Sequence, residues 1–205
     1  MQNAETESHP LPPFLPEKTK VLMLGSFPPP KERWKMDFFY PNIQNDMWRI
    51  FGRVFFDDMN YFLTDNRQSF RESAIRSFLL EKGIAIWDTA MEVRRQKGNA
   101  SDKFLEITRP INLAEILSQI PECRTIVVTG RKAADILSII LGVKQPPVGS
   151  YVETPFLNRH LRIYRMPSSS RAYPKPIEEK AAAYEKMFNE LQIAISRKEI
   201  HTKNF

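Results

Sequence analysis

Three aspartates and one asparagine of this chain could act on a water molecule, because each lies beside a segment rich in glycine, serine, proline or aromatic residues. The carboxylates of Asp37, Asp46 and Asp88 could accept a proton, whereas the amide of Asn45 can orient water but cannot deprotonate it at neutral pH. Surface or helix-capping positions are the favoured interpretation for the aspartates. Asn45 is explained equally well as a functional amide and as the cap of a helix that begins near Asp46.

The residues that usually bind metals do not support a metal site. His9, His160, His201 and the single cysteine, Cys123, lie too far apart in sequence to give the spacing of a zinc site. We therefore expect no metal site. A lone cysteine cannot form an internal disulfide, which agrees with a reducing compartment.

The chain lacks the sequence signals that direct a protein into or across a membrane. Residues 1–10 have neither the basic nor the apolar region of a secretory signal, and no run approaches the roughly 18 apolar residues of a membrane span. We expect a cytoplasmic protein. The net charge of +6 and the isoelectric point near 9.4 suit a polyanionic partner, although many proteins without such a partner are equally basic.

Four short apolar runs are predicted to form the strands that position these residues. They are residues 20–24, 83–86, 124–128 and 161–164. Segments with helical spacing separate them, so we expect βαβ units and a mostly parallel sheet. Residues 8–18 hold four prolines and are predicted to form an extended arm.

Four segments have the apolar spacing of helices. Ser69 and Glu72 have the spacing of a capping box and precede an apolar pattern that continues to Leu80. The other predicted helices cover residues 113–120, capped by Asn112, residues 131–141, ended by Gly142, and residues 177–197.

Loops rich in glycine, serine and proline follow the four predicted strands. In an open α/β sheet, ligands bind beyond the carboxyl ends of the strands, so these loops should meet at one edge and form one site. The loops are residues 25–28, 87–89, 129–130 and 166–171. A simple nucleotide-binding α/β protein would have the same arrangement, so the site alone does not define a reaction.

Four motifs within this framework resemble those of the uracil-DNA glycosylase superfamily. Gly25-Ser26-Phe27-Pro28 resembles its G-x-x-P turn after the first strand. Residues 38–48 and 83–88 are similar to segments of its hypoxanthine-DNA glycosylase (deoxyinosine glycosylase) branch. Residues 166–170 resemble the superfamily's last motif, a loop that inserts into the DNA minor groove. The motifs stand in the expected order between about Lys20 and about Glu190.

Several positions depart from the family pattern. Thr129-Gly130 stands where the branch usually has Asn-Gly, and Met166 stands where other branches have histidine. Pro29 and Pro30 follow the first motif, where a small residue is more usual, and that motif has no carboxylate. A binding protein that has kept the fold and lost catalysis therefore remains an alternative, as does a hydrolase of free nucleosides or nucleotides.

The resemblance implies an α/β fold of three layers, an α/β/α sandwich with a central four-stranded, mostly parallel sheet. It implies a monofunctional DNA glycosylase that flips a deaminated base, uracil or hypoxanthine, and hydrolyses its N-glycosidic bond without a cofactor. Asn45 matches the asparagine that the branch uses for catalysis. The backbone of Gly25, Ser26 and Phe27 would contact the base and offset its developing negative charge. A tight connection between strand and helix would explain the same turn.

The aromatic and serine-rich segments would hold the substrate. Phe39 is the residue we select to stack on the flipped base, although an aromatic run is more often part of the core. Contacts with DNA are expected from Ser168, Ser169 and Ser170, from Arg171 or Tyr173 as a wedge, and from Lys132, beside Arg131, at a helix N-terminus. A flexible turn and solvated charges are the alternatives.

The chain is expected to have one folded domain with two extensions. Residues 1–18 form the proline-rich arm, residues 19–197 the domain, and residues 198–205 a basic tail. We expect a monomer whose partner is DNA that contains a damaged base.

Overall fold

Two β-sheets and five α-helices form the part of the chain that the computed structural model describes, residues 5–95 and 105–195. The strands are β1 (Thr6–Ser8), β2 (Val21–Gly25), β3 (Ile84–Asp88), β4 (Ala90–Arg95), β5 (Leu105–Pro110), β6 (Thr125–Thr129), β7 (Ser150–Phe156) and β8 (Arg159–Met166). The helices are α1 (Met47–Phe56), α2 (Glu72–Lys82), α3 (Leu113–Gln119), α4 (Arg131–Leu141) and α5 (Ile177–Glu190). A short 3-10 helix, Lys31–Arg33, precedes α1.

The larger sheet has the strand order β3-β2-β6-β8-β7. Its first four strands are the predicted ones, and they run parallel to one another. Every residue of β2, β3 and β6 is buried. Because successive side chains of a strand point to opposite faces, both faces of this sheet are covered. The predicted α/β fold around a mostly parallel sheet is confirmed.

A fifth strand, β7, extends this sheet and was not predicted. It pairs antiparallel with β8 at the edge of the sheet. Its residues are mostly exposed or half-buried, and it contains Pro155, which central strands do not tolerate. An edge strand of this kind is defined by its partner more than by its own apolar pattern.

The smaller sheet has the order β1-β4-β5 and was also not predicted. Its strands are antiparallel and carry many charged residues, among which Arg109 and Glu92 form an ion pair of 2.8 Å. The extended arm is therefore part of a sheet, since β1 pairs with β4. The predicted basic tail, residues 198–205, lies outside the described residues.

The ends of α2 and α5 differ from their predicted positions. α2 begins at Glu72 without a side-chain cap, because Phe70 pairs with Leu63 and keeps the preceding segment extended. The capping-box prediction for Ser69 is therefore wrong. α5 ends at Glu190 rather than near residue 197, because Gln192 has a φ of +55° and the Ile193 N–H donates to the Phe188 carbonyl at 3.0 Å. This geometry is a Schellman motif, which stops a helix.

Aromatic side chains fill the core between the helices. Phe51 of α1 lies 5.5 Å from Phe188 of α5 and 5.8 Å from Phe78 of α2, measured between ring centroids. The buried Trp48 indole donates to the Phe39 carbonyl at 3.1 Å, which fixes the segment before α1 on this core. In the described ranges, none of the helices has the length and apolar character needed to span a bilayer.

Helix α3 offers a test of local stability away from the sheet edge. Its predicted cap is present, because the Asn112 side chain accepts a hydrogen bond from the Glu115 N–H. Replacing Asn112 with alanine leaves this N–H without its partner, so the free energy of unfolding should fall by about 1 kcal/mol. Urea denaturation measures the change. Asn112→Asp keeps the acceptor, and equal losses in both variants would contradict the capping role.

Candidate active site

A cavity of about 540 Å³ lies at the edge of the larger sheet where β2, β3, β6 and β8 end. Its walls come from segments distant in sequence, because the carboxyl ends of parallel strands meet at one edge. They are residues 25–29, Arg33, residues between 39 and 45, Asp88, residues 129 and 131, and residues 168–173. The volume falls in the range of ligand sites, roughly 300–1,000 Å³.

The turn after β2 carries three predicted base-binding residues, Gly25, Ser26 and Phe27, and all three line the cavity. The Thr89 backbone N–H and hydroxyl both donate to the Gly25 carbonyl, at 2.9 and 3.0 Å. A Cβ on residue 25 would lie only 2.4 Å from Oδ1 of Asp88. Glycine therefore allows the Asp88 carboxylate to lie against the turn.

Two consecutive aromatic residues of the run 38–40 line the cavity, the selected Phe39 and its neighbour Tyr40. Phe39 is 3% exposed, because it packs against Phe38 and Trp87 in the core. Tyr40 has a φ of +51°, a left-handed conformation that bulky residues rarely adopt. Its hydroxyl lies 3.1 Å from that of Thr129. The cavity thus has a second aromatic ring, that of Tyr40, beside the Thr129 hydroxyl. The sequence alone does not show which of the two rings, Phe39 or Tyr40, would contact a ligand.

Asn45 lies before α1 and lines the cavity. Its Oδ1 accepts a hydrogen bond from the Met47 N–H at 2.9 Å, which caps the first turn of α1. The half-buried side chain also lines the cavity. Nδ2 can donate hydrogen bonds to a ligand, and Oδ1 keeps a second lone pair beside the one that accepts from Met47.

A buried ion cluster joins the start of α1 to the loop after β8. The Asp46 carboxylate lies 3.0 Å from Nε of Arg171 and 3.3 Å from Nζ of Lys180, whose side chain is 1% exposed. Lys180 also donates to the Ser170 carbonyl at 2.9 Å, and the Asp46 N–H donates to the Ser169 carbonyl at 2.9 Å. The sequence favours a surface or helix-capping position for Asp46, and this prediction is wrong. Asp46 is buried, and its side chain does not cap the helix.

Two further side chains brace the same loops. Arg49 donates to the Ile43 carbonyl at 2.7 Å and to the Asn45 carbonyl at 3.4 Å. The pKa of Arg49 is lowered, first by burial and then by the positive charge of Arg171. The Tyr184 hydroxyl donates to the Pro167 carbonyl at 3.2 Å, and burial raises the pKa of this phenol. The loops on both sides of Asn45 are thus fixed by the helices behind them.

The serine-rich loop is ordered by its own hydroxyls. The Ser168 hydroxyl accepts from the Ser170 N–H, and the Ser170 hydroxyl accepts from the Ala172 N–H, both at 3.2 Å. Each hydroxyl still has a hydrogen to donate. All of the predicted DNA-binding residues of this loop line the cavity, namely Ser168, Ser169, Ser170, Arg171 and Tyr173.

Arginines lie at the mouth of the cavity. Arg131 and Arg171 have side chains that are 87% and 51% exposed, and Arg33 lines the same opening. The predicted phosphate contact Lys132 is half-buried and does not line the cavity, whereas its neighbour Arg131 does. The mouth therefore offers guanidinium groups to an anion.

The three aspartates weighed from the sequence have different surroundings. Asp37 is exposed and pairs with Lys31. Asp88 is buried and lines the cavity, where its Oδ2 lies 2.9 Å from Nε2 of His9. Sequence reasoning assigned Asp88 to a surface or capping position and did not connect His9 with the site. The position of Asp88 at a strand end was a usable signal, but no local pattern predicts the path that brings His9 to it.

The described part of the chain contains no group of three or more His, Cys, Asp or Glu side chains that could hold a metal ion. The acidic groups of the cavity region are instead engaged with cationic or imidazole partners, as Asp46 and Asp88 illustrate.

Two known proteins with similar sequences are named as hypoxanthine DNA glycosylases. The chain is 26% identical to a hypoxanthine DNA glycosylase of Methanosarcina barkeri over 63% of this chain and 75% of that protein. It is 26% identical to a hypoxanthine DNA glycosylase of Methanosarcina acetivorans over 64% of this chain and 77% of that protein. No protein-family model matches the chain.

A solved structure supports the fold. It is the solution NMR structure of a Methanosarcina acetivorans protein provisionally named a uracil DNA glycosylase. The TM-score is 0.58 at 22% identity, and the match covers 88% of this chain and 96% of that one. The resemblance to the uracil-DNA glycosylase superfamily, near its hypoxanthine-DNA glycosylase branch, is confirmed.

The ion cluster around Asp46 gives a prediction for stability. Lys180→Met leaves a buried carboxylate with one of its two cations, so the free energy of unfolding should fall by roughly 3 kcal/mol. Lys186→Met is the matched control, because Lys186 lies on the same helix with a side chain that is 73% exposed. Its loss should be below about 0.5 kcal/mol. Urea denaturation compares the two, and equal small losses would show that the cluster does not hold the loops together.

Proposed function

We propose that this protein is a monofunctional DNA glycosylase that hydrolyses the N-glycosidic bond of a flipped, deaminated base, uracil or hypoxanthine. The observation that carries the proposal is a cavity at the carboxyl edge of the sheet to which all four motifs contribute residues. Relatives named as hypoxanthine DNA glycosylases support the same reaction.

Breaking the bond leaves cationic character on the sugar and negative charge on the departing base. The backbone of the turn at Gly25, Ser26 and Phe27 would lie beside the base, where N–H groups offset that negative charge. The hydrogen bonds from Thr89 to the Gly25 carbonyl support this role, because they hold the turn in place before the substrate arrives.

Asn45 would position the attacking water. Its Nδ2 can donate to the water oxygen, while its Oδ1 remains on the Met47 N–H. An amide cannot take the proton of that water, so bond cleavage would precede attack and the reaction would be dissociative. Stabilising the leaving base then matters more than the strength of a general base.

The extruded base would stack on an aromatic ring, for which Phe39 remains our proposal. Its packing against Phe38 and Trp87 holds the ring rigid, and a π-face is worth roughly 1–3 kcal/mol per base. The sugar-phosphate backbone of the DNA strand would lie at the mouth of the cavity, where Ser168, Ser169 and Ser170 would hold it. Arg171 or Tyr173 would fill the gap left by the base, and Lys132 would contact a phosphate outside the cavity.

A monofunctional mechanism is supported by the positions of the lysines. None of the described lysines lines the cavity. Lys180, which lies behind the serine-rich loop, is occupied by Asp46 and the Ser170 carbonyl. A lysine nucleophile that could form an imine with the sugar is therefore not part of the proposal.

The first experiment incubates the protein with labelled duplexes that contain one uracil, hypoxanthine, xanthine or 5-hydroxymethyluracil, followed by alkali. Strand cleavage at the lesion only after alkali is the expected result. It should fall by about 100-fold or more in Asn45→Ala, because the water loses its positioning group. Gel electrophoresis of the strands measures the rate.

Asn45→Ser separates catalysis from capping. Serine is a good N-terminal cap, so this variant should recover most of the roughly 1 kcal/mol that Asn45→Ala loses in stability. It should not recover activity, since it lacks an amide. DNA binding without cleavage of any lesion in the wild type would favour a non-catalytic binding protein. If the wild type neither cleaves any lesion nor binds DNA, free nucleosides become the substrates to test.

A second experiment tests the arginines at the mouth. If Arg131 contacts a phosphate, Arg131→Ala should weaken DNA binding and reduce the slope of log affinity against log salt by about 1. Arg124→Ala is the matched control, because exposed Arg124 precedes β6 at the opposite edge of the sheet. Fluorescence anisotropy between low and moderate salt measures both slopes, and equal slopes would remove Arg131 from the interface.

A further inference from the structure

Arg95 is a cation that the proposed mechanism does not use, although it contacts the first motif. It is the last residue of β4, and its side chain is 9% exposed. Its Nε lies 3.0 Å from the carboxylate of Glu7 in β1, and its Nη2 donates to the Pro28 carbonyl at 2.5 Å. The guanidinium also lies over the Phe27 ring, 5.5 Å from its centroid. One side chain thus joins the extended arm and the smaller sheet to the turn of residues 25–28.

The same elements hold the Phe27 ring, which lines the cavity. The ring packs against the buried residues of the smaller sheet, Ala90, Val93 and Leu105. The His9 ring of the arm meets it in a T-shaped contact, with the centroids 5.2 Å apart. A guanidinium over an aromatic face is attracted by the π-electrons, so the contact with Arg95 adds to this packing. The position of Phe27 is therefore set from outside the larger sheet.

The segment of residues 89–95 holds the backbone of the turn through its carbonyl groups. The N–H groups of Thr89 and Ala90 donate to the carbonyls of Gly25 and Ser26, at 2.9 and 3.2 Å. In a trans peptide unit, the C=O and the following N–H point to opposite sides. The N–H groups of residues 26 and 27 therefore point away from this segment. They belong to the groups that would offset the charge of the departing base.

Arg95 holds the other end of the turn, where the backbone has few ways to form hydrogen bonds. Pro28 and Pro29 have no N–H, so the chain after Phe27 can be held only through carbonyl oxygens. The Pro28 carbonyl accepts from Arg95. The ion pair with Glu7 fixes the guanidinium, whose planar group then donates in a set direction.

We propose that Arg95, fixed by Glu7, is a positioning residue that keeps the turn of residues 25–28 directed at the departing base. This inference rests on the proposed function. Donors stabilise a developing charge best when they are in place before it forms, because they then need no reorganisation during the reaction. A turn released at Pro28 would still admit the base but would have to reorganise as the bond breaks. Loss of Arg95 should therefore lower the rate more than the affinity.

The first experiment compares excision with binding in the same variants. The substrate is a duplex with the lesion that the wild type excises fastest. The binding probe carries that base on a 2′-fluoro-2′-deoxy sugar, which resists cleavage because fluorine destabilises the cationic sugar. In Arg95→Met, the single-turnover rate should fall by about 10-fold or more, and the affinity by less than about 3-fold. Arg95→Lys keeps a cation and a donor and should recover part of the rate.

Arg94→Met is the matched control. Arg94 precedes Arg95 in β4, and its side chain is 48% exposed. This variant removes the same charge from the same strand without a contact to the turn. Both the excision rate and the affinity should stay close to those of the wild type.

The role of Glu7 is tested by a double-mutant cycle. Glu7→Gln keeps an acceptor for Nε of Arg95 and loses the charge, so the rate should fall by less than in Arg95→Met. The double variant should be no slower than Arg95→Met, because Glu7 acts through Arg95. Glu5→Gln, at an exposed position of the arm, should leave the rate unchanged. Losses that multiply in the double variant would overturn the role of Glu7.

Backbone motion of the turn gives a measurement that does not need activity. Relaxation of ¹⁵N nuclei should give order parameters near the rigid value of roughly 0.85 for the N–H groups of Ser26 and Phe27 in the wild type. The values should fall in Arg95→Met and remain unchanged in Arg94→Met. A spectrum that is otherwise preserved shows that the variant is folded.

The outcomes separate this inference from the proposed function. If the wild type excises a lesion and Arg95→Met keeps the rate and the order parameters, the role of Arg95 is overturned and the glycosylase stands. If the wild type excises no lesion and the order parameters fall in Arg95→Met, the contact of Arg95 with the turn is supported and the proposed reaction is overturned. Equal losses of rate and affinity in Arg95→Met would show a purely structural role and overturn the inference.

Discussion

The buried carboxylate of Asp46 is the contact on which the geometry of this site depends. A carboxylate away from water is stable only when cations and hydrogen bonds surround it, and Arg171 and Lys180 supply the cations here. Each belongs to a different part of the chain, so satisfying one charge fixes the start of α1, the loop after β8 and α5 relative to one another. This cluster therefore fixes the positions of Asn45 and of the serine-rich loop.

A second constraint comes from the register of the sheet. Gly25 and Asp88 are paired residues at the carboxyl ends of the adjacent strands β2 and β3. A side chain at residue 25 would clash with the Asp88 carboxylate, and glycine avoids this clash because it has no Cβ. The glycine of the first motif is therefore needed for its own turn and also for the position of Asp88 at the end of β3.

The parts of the fold that were predictable are those with a local cause. Strands β2, β3 and β6 are buried on both faces, so their apolar runs identify them without knowledge of their partners. Strands β1, β4, β5 and β7 carry charged or exposed residues and exist only through pairing, which a local pattern does not record.

The residues of the site also differ in how far a local pattern predicts them. Asn45 belongs to a motif. His9 lies at the site because of the path of the N-terminal arm, and Tyr40 because its backbone is left-handed, and neither feature is visible in a local pattern.

The Asp88 carboxylate has a chemical consequence for the proposed reaction. Asp88 is buried and lines the same cavity as the turn at Gly25, Ser26 and Phe27. A carboxylate beside the departing base would oppose the negative charge that the base acquires. The hydrogen bond between His9 and Asp88 would reduce this effect, because it draws charge toward the imidazole. A dissociative reaction guided by an amide depends strongly on its leaving group, so the balance between His9, Asp88 and the N–H groups of the turn would affect its rate.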